Sequence, residues 1–399
     1  MRTTFDRTRG TDLADVRREN LHRVLEVVRT EPGSSQNDIS ARTGLGVAAV
    51  SSLVNELLDA EVLEEAESSA PQGRGRPKRA VRLSGRWADV VGVSITRTLI
   101  TARASALSGA PIGAASQSFS APPTPDEAMD AAARLIAAAV GDAGRGSRGP
   151  RIVVAVPGAW ASTGFGGIEL DWQHVDFSPL SRALIDRGLP EPLVGNDGSL
   201  ATFVEGREGA AADFSNAVVL FLGRGLGGSA VIDDALLRGA ATAPGFGHTS
   251  LDPDGALCAC GQRGCAELTV SLTQFAAKLE ETDDLDGSQP AEYARRLAER
   301  AGDGEPRVLD VLAEAQATLA HLGAIVVSLL NPEIVVLSGP GAPLAPWLLP
   351  EAVGGMLPVP TARGRFDDDT AVLGALAAAQ ELFLSDPLDT RAGSPAEWS

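Results

Sequence analysis

Cysteine is nearly absent from this 399-residue sequence: Cys258, Cys260 and Cys265 are the only three, and all fall within eight positions. Three clustered thiols cannot build a disulfide framework, and they point to a metal site instead. Aromatic residues make up only 4%, and lysine numbers 2 against 32 arginines, a bias we read as genome composition. No run of eighteen apolar residues occurs, so no segment is expected to span a membrane. The opening MRTTFDRTRG has arginines but no apolar stretch behind them. A secretory signal is therefore not expected, and the cytoplasm is the expected compartment.

Positive charge is also scarce, with 34 Lys and Arg against 52 Asp and Glu and a net charge of −18. Taken whole, that balance argues against nucleic acid. Divided, it does not. Residues 1–86 carry a net +1 and residues 87–399 a net −19, so the repulsive field belongs to the C-terminal part. A local basic patch, GRGRPKR at 73–79, closes the N-terminal part. The length suits two or three domains, and 44% hydrophobic with 22% charged residues is ordinary for a globular chain.

After a polar lead of about fifteen residues, Leu21, Val24, Leu25 and Val28 recur at helical spacing, and Pro32-Gly33 stops the pattern. Ser35 and Asp38 form a capping box for a short helix that Gly44 ends. A third helix, VAAVSSLVNELLDA, puts Val50, Leu53, Val54, Leu57 and Leu58 on one face. Strand-like segments at 61–66 and 79–84 flank the basic turn. This order predicts a winged helix-turn-helix over 1–84. Its recognition helix offers Ala48, Ala49, Ser51, Ser52 and Asn55, small and polar residues that make no bidentate contact to guanine. Affinity for double-stranded DNA is expected from Arg74, Arg76, Lys78 and Arg79 through counterion release. The competing reading of the patch is a solvated interdomain linker.

From Trp87 the pattern becomes α/β. A meander-like stretch, DVVGVSITRTLITARASAL, is followed by apolar runs at 151–158, 216–233 and 333–342 that enter glycine turns. Ala-rich helices at 126–140 and 309–330 lie between them. Segment 281–306, rich in Asp, Glu and Gly, reads as a mobile excursion, and 385–399 as a loose tail. The strongest signal is His248, Cys258, Cys260 and Cys265. One imidazole and three thiolates form a closed Zn²⁺ set with no open position, so one structural zinc per chain is expected.

The segment PGFGHTSLDPDGALCACGQRGCAEL at 244–268 resembles the signature of the ROK family, which unites repressors, open reading frames and sugar kinases. RIVVAVPG, VGNDGSLATFVEG, LGRGLGGSAVIDDALLRGA, NPEIVVLSGPGA and TAVLGALAAAQ extend the resemblance across nearly all of 85–385. It implies a two-lobed, actin-like or RNase-H-like domain over 85–399. The first lobe would be about 85–200 plus a returning helix at about 368–385, and the second about 201–367. It also implies sugar-site residues at Gly158, Asn196, Asp197, His248 and Glu267, with Asp197 at the position of the kinases' general base.

Departures from the family pattern cluster on the nucleotide side. Ser94, Thr96 and Arg97 stand in the DxGGT turn, Arg224 replaces a small residue in the second phosphate turn, and Pro340 interrupts the glycines of the adenosine turn. Added side chains close the backbone approach that phosphate needs. On the sugar side, Gly245 replaces the glutamate of ExGH. The expectation is a DNA-binding regulator, not an enzyme. It would be a homodimer or homotetramer, a repressor before an activator, that senses a sugar or phosphosugar. An active sugar kinase with an added DNA-binding domain and a ligand-independent regulator are the alternatives.

Overall fold

The computed structural model describes residues 13–66, 80–85, 89–142, 149–161, 164–167, 172–173, 175–237, 243, 245–354 and 358–388. The chain begins with α1 (Leu13–Thr30), β1 (Ser34–Ser35), α2 (Gln36–Thr43), α3 (Val47–Asp59), β2 (Leu63–Ala66) and β3 (Ala80–Leu83). The strands pair antiparallel in the order β1-β3-β2. The expected capping box is present, with Asp38 N–H donating to Ser35 Oγ and Ser35 N–H to the Asp38 carboxylate. Gly44 ends α2 in the left-handed region at φ 72°, which a side chain would resist. Leu21, Val24, Leu25, Val28, Val50, Leu53, Val54 and Leu57 are buried and Leu58 is half-buried, each buried side chain contributing about 1.5–3 kcal/mol of apolar burial. The order is that of a winged helix. Strand β1 was not expected: two serines carry no strand signal, and their pairing with β3 creates it.

The meander follows as β4 (Val90–Ile95), β5 (Leu99–Ser105) and β6 (Pro111–Ser118), and then α4 (Pro125–Val140) and β7 (Arg151–Val156). A small antiparallel sheet of β8 (Ala159–Ala161), β9 (Gly164–Gly167) and β10 (Trp172–Gln173) precedes α5 (Ser178–Ile185), β11 (Leu193–Asn196) and α6 (Asp197–Glu208). The main sheet runs β11-β7-β4-β5-β6, with the first three strands parallel. Their carboxyl ends therefore lie together, and crevices at that edge are where such sheets bind ligands.

A second sheet is built from β12 (Ala217–Leu222), β13 (Leu226–Ile232) and β14 (Ala235–Leu236). After α7 (Leu272–Leu279), α8 (Thr282–Asp286), α9 (Pro290–Gly302) and α10 (Pro306–Leu330) come β15 (Ile334–Ser338), α11 (Ala345–Leu348), β16 (Ala352–Val353) and β17 (Val359–Arg363). Its order is β14-β13-β12-β15-β17-β16. The expected mobile excursion at 281–306 is instead largely helical. Tyr293 and Leu297 are buried in the second-sheet core, and Tyr293 Oη donates to Glu281 at 3.0 Å. Acidic residues on either side of α9 and charges of both signs on its outer face masked that apolar face. By length and composition α10 could cross a membrane, yet Val308, Leu312, Leu319, Leu322 and Val326 bury one side of it in the same core.

Helix α12 (Thr370–Ser385) returns to the first sheet. A Cβ on Gly92 would lie 2.5 Å from Leu376 N, so β4 and α12 touch backbone to backbone only because that position is glycine. One apolar cluster joins the winged-helix core to Leu200 of α6 and to Ala375, Ala378, Phe383 and Leu384 of α12.

Candidate ligand cleft, metal centre and nucleic-acid face

Parallel strands β4, β7 and β11 end at Ser94–Thr96, the Gly158 turn and Asn196-Asp197 respectively. Asn196 organises this edge. Its Nδ2 donates to Gly158 O at 2.7 Å and Asp197 Oδ1 at 3.2 Å, and its Oδ1 caps α6 by accepting from Ser199 N–H at 2.8 Å. Asp197 Oδ1 also accepts from Gly198 N–H at 2.8 Å. Gly158 turns at φ 126°, a left-handed conformation that favours glycine. Desolvation pushes the Asp197 carboxyl from its usual 3.8 up to about 6, against the hydrogen bonds that favour its anion. A carboxylate beside an amide suits pairs of hydroxyl groups.

The second sheet brings up the remaining candidates. A Cβ on Gly198 would lie 2.7 Å from Gly228 N, so α6 starts directly on β13. Leu226 N–H at the head of β13 donates to Glu267 Oε2 at 2.9 Å. Hydrogen bonds thus join Gly158, Asn196 and Asp197 into one group, while Glu267 and His248 stand on the β13 side of that junction.

His248 and the three cysteines converge as the sequence spacing predicts. His248 Nδ1 is 3.6 Å from Cys258 Sγ, Cys260 Sγ is 3.5 Å from Cys265 Sγ, and all four donor atoms lie within 4.8 Å of one another. A tetrahedral cation with Zn–S near 2.3 Å and Zn–N near 2.0 Å needs donor separations of about 3.5–3.8 Å, so the set fits. Burial and the neighbouring thiols push Cys265 up to about 12, an arrangement a divalent cation would reverse. The bridges Ser250–Cys265 and Leu257–Arg263 hold the loop in shape.

On the nucleotide side, Thr96 closes the β4–β5 turn by bonding Leu99. Arg224 is 7% exposed. Its guanidinium donates to Asp286 Oδ1 at 2.8 Å and Leu285 O at 3.0 Å, which anchors the β12–β13 turn to α8. The Gly223 and Arg224 carbonyls accept from the first N–H groups of α7. Gly339-Pro340-Gly341 turns behind β15, with Gly341 N–H on Leu222 O.

On α3, Ala48, Ala49, Ser52 and Asn55 are exposed and Ser51 is half-exposed. The expected phosphate contacts Arg74, Arg76, Lys78 and Arg79 lie outside the described residues. Several arginines of the winged helix are already paired: Arg17 with Glu56, Arg42 with Glu31, Arg23 with Glu19 and Arg82 with Glu64.

Sequence reading missed one cluster, where α1, α6 and α12 meet. His22 Nε2 is 2.9 Å from Glu381 Oε1, and Arg207 bridges Glu381 Oε2 at 2.6 Å and Glu26 Oε1 at 3.0 Å. The available signal was Gln380-Glu381, the only long polar pair in the apolar helix TAVLGALAAAQELFLS.

The ROK family pattern matches residues 90–377, and the MarR family pattern matches residues 21–75. The chain is 32% identical over 186 residues to the glucokinase of Thermotoga maritima, covering 42% of this chain and 56% of that protein. It is 32% identical over 200 residues to an N-acetylmannosamine kinase of Salmonella heidelberg, covering 48% and 66%. It thus spans less than two thirds of either relative. Among solved structures, a ROK family transcriptional regulator described as a homologue of the E. coli MLC protein superposes with TM-score 0.71 at 21% identity, over 93% of this chain and 97% of the other. A Streptomyces griseus ROK glucokinase, solved with glucose and AMPPNP, gives TM-score 0.57 at 24% identity over 73% and 99%. The chain belongs to the ROK family, with a MarR-type winged helix ahead of the sugar-kinase-like domain.

Proposed function

We propose that this protein is a ligand-responsive transcription regulator that binds duplex DNA through its winged helix and senses a sugar or sugar derivative in its ROK domain without phosphorylating it. One observation carries the reading: a winged helix with a small, exposed α3 face is packed, in a single chain, against the helix that closes a sugar-kinase-like domain. Small residues permit close approach to base edges, and Arg74, Arg76, Lys78 and Arg79 would supply phosphate contacts. A homodimer or homotetramer would set two α3 helices on repeated half-sites.

Gly158, Asn196, Asp197, His248 and Glu267 are the proposed ligand contacts. With Gly245 where relatives of this type carry glutamate, one hydroxyl acceptor is lost, which retunes affinity. His248, Cys258, Cys260 and Cys265 would hold one Zn²⁺, whose closed coordination braces the loop leading to Glu267.

Loss of phosphotransfer is supported by Ser94, Thr96 and Arg97 at the first turn, the anchored Arg224 at the second and Pro340 at the third. The competing reading, a working sugar kinase, is favoured by Asp197, whose raised pKa of about 6 suits a general base. Gel shifts with genomic fragments, with and without D-glucose or N-acetylmannosamine, test the first reading, and a coupled ATP assay with the same sugars tests the second. Specific retardation that one sugar changes, without ATP turnover, is expected. Sugar-dependent turnover abolished by Asp197→Asn would overturn the proposal.

A further inference from the structure

We infer that Arg207 is the positioning residue that couples the ligand cleft to the DNA-binding unit, with α6 as the rod between them; this rests on the regulator reading above. Helix α6 begins at Asp197 in the cleft and ends at Glu208, 12 residues in all, so its two ends are about 17 Å apart at 1.5 Å per residue. Both ends are gripped. At the cleft end Gly198 lies against the Gly228 backbone. One turn before the other end, the fully buried Glu205 accepts from Ser338 Oγ at 2.7 Å, Ala210 N–H at 2.9 Å and Arg365 N–H at 2.9 Å. A displacement of the first turn therefore cannot be absorbed by bending at a loose end.

Arg207 carries that displacement across the domain boundary. Its side chain is 12% exposed, and its two terminal nitrogens hold one carboxylate from each unit: Glu26 of α1 and Glu381 of α12. Phe203, one turn back on α6, lies under the guanidinium at 5.8 Å and fixes its plane. The surrounding charges reinforce the junction. His22 of α1 bonds Glu381, Arg29 of α1 pairs with Glu26 at 2.9 Å and with Glu208 at 3.5 Å, and Ser385 bonds Glu381.

The donor atoms of His22, Glu26 and Glu381 all lie within 4.8 Å of one another, a spacing that could also hold a cation. Here Arg207 supplies that positive charge. Without it, two carboxylates from different units would face each other across the boundary. The attraction across the boundary would weaken, and α6 would keep only the longer Glu208–Arg29 pair to α1.

The test needs neither ligand nor operator, so its failure is separable from failure of the regulator reading. Gly198→Ala wedges a methyl against Gly228 and shifts the cleft end of α6, and Asn196→Ala, which removes the cap on Ser199 N–H, is a second perturbation of the same turn. Amide hydrogen exchange is followed in α1 for the full-length protein, with Arg207 intact, as Arg207→Gln and as Arg207→Lys. Expected is a rise of about fivefold or more in α1 exchange on wedging, a ratio typical of coupled sites. That rise should be absent in Arg207→Gln and partly retained in Arg207→Lys. A purely structural Arg207 would loosen α1 by the same factor with or without the wedge. Equal ratios in all three backgrounds, or an α1 indifferent to both cleft variants while β13 responds, would overturn the inference.

Discussion

Asp197 is expected to weaken the ligand-free protein it serves, and Asp197→Asn to stabilise it. The carboxyl titrates near 6 instead of 3.8 because the cleft edge desolvates it. Each pKa unit corresponds to about 1.4 kcal/mol, so the ionised group costs at most about 3 kcal/mol above pH 6, and residual solvent access at this partly buried site reduces that to about 1–2 kcal/mol. Asparagine keeps the Oδ1 acceptor for Gly198 N–H and Asn196 Nδ2, but it forfeits a favourable charge at the α6 N-terminus, worth about 0.3–1 kcal/mol. Desolvation wins, and a net gain of about 1 kcal/mol remains at pH 7.5. The pH dependence follows from the sign of the shift. A folded-state carboxyl raised above its unfolded value binds protons more tightly when folded, so stability falls as pH rises through the window from about 4 to 6. The advantage of the variant should therefore be full at pH 7.5 and roughly halved at pH 5. Scanning calorimetry of both proteins across that range measures it. A variant that melts lower at pH 7.5, or an advantage that does not change with pH, would refute the reasoning.

Metal analysis should find about one zinc per chain, as expected for a four-ligand site. Cys265→Ser should bring zinc close to zero and lower the melting temperature of the ROK domain. Replacing Arg74, Arg76, Lys78 and Arg79 together by serine should weaken DNA binding across all sequences and flatten the salt slope by about 0.9 per lost phosphate contact. Fluorescence anisotropy at several salt concentrations reads this, and an unchanged slope would assign the segment to a linker. At the domain junction, the hydrogen bond that His22 donates to the Glu381 carboxylate raises the His22 pKa despite burial. Its contribution should be complete below pH 6.5 and lost as pH rises through the raised value, so the protection factors of α1 amides should fall toward pH 8.5, and fall less in His22→Gln. Glu381 is held near 2 by His22 and Arg207, which together outweigh burial. Its contribution is present above the usual 4.5 and disappears only as pH falls toward 2.

Local rules made much of the fold readable. Helical spacing named the buried face of α1, the Ser35–Asp38 box and Gly44 bounded α2, and β-branched runs marked β7, β12 and β15. The convergence of His248 with the three cysteines was equally legible, because the four donors lie within eighteen residues and the chemistry of cysteine admits few readings. Features made by distant partners were not. Ser34-Ser35 becomes a strand only by pairing with β3, and Glu205 is a buried anchor only because Ser338 and Arg365 N–H reach it. The His22–Glu381 contact joins residues 359 positions apart, and nothing near either one announces it. Segment 281–306 misled for a different reason: Asp and Glu crowd both its ends, so its composition is that of a loop although α9 between them buries Tyr293, Ala294 and Leu297.

The arginines already paired around α1, α2 and β3 have a consequence for how the protein would search a genome. Arg17, Arg42 and Arg82 each hold an internal carboxylate. A DNA phosphate competing for any of them must strand that acid beside the backbone, so the net gain per contact is smaller than for a free cation. On the regulator reading, these acids would act as built-in decoys. They would tax every encounter with random sequence equally, and a site whose groove fits α3 would regain the difference through contacts that random sequence lacks. Discrimination would then come less from strong grips on an operator than from weak ones everywhere else.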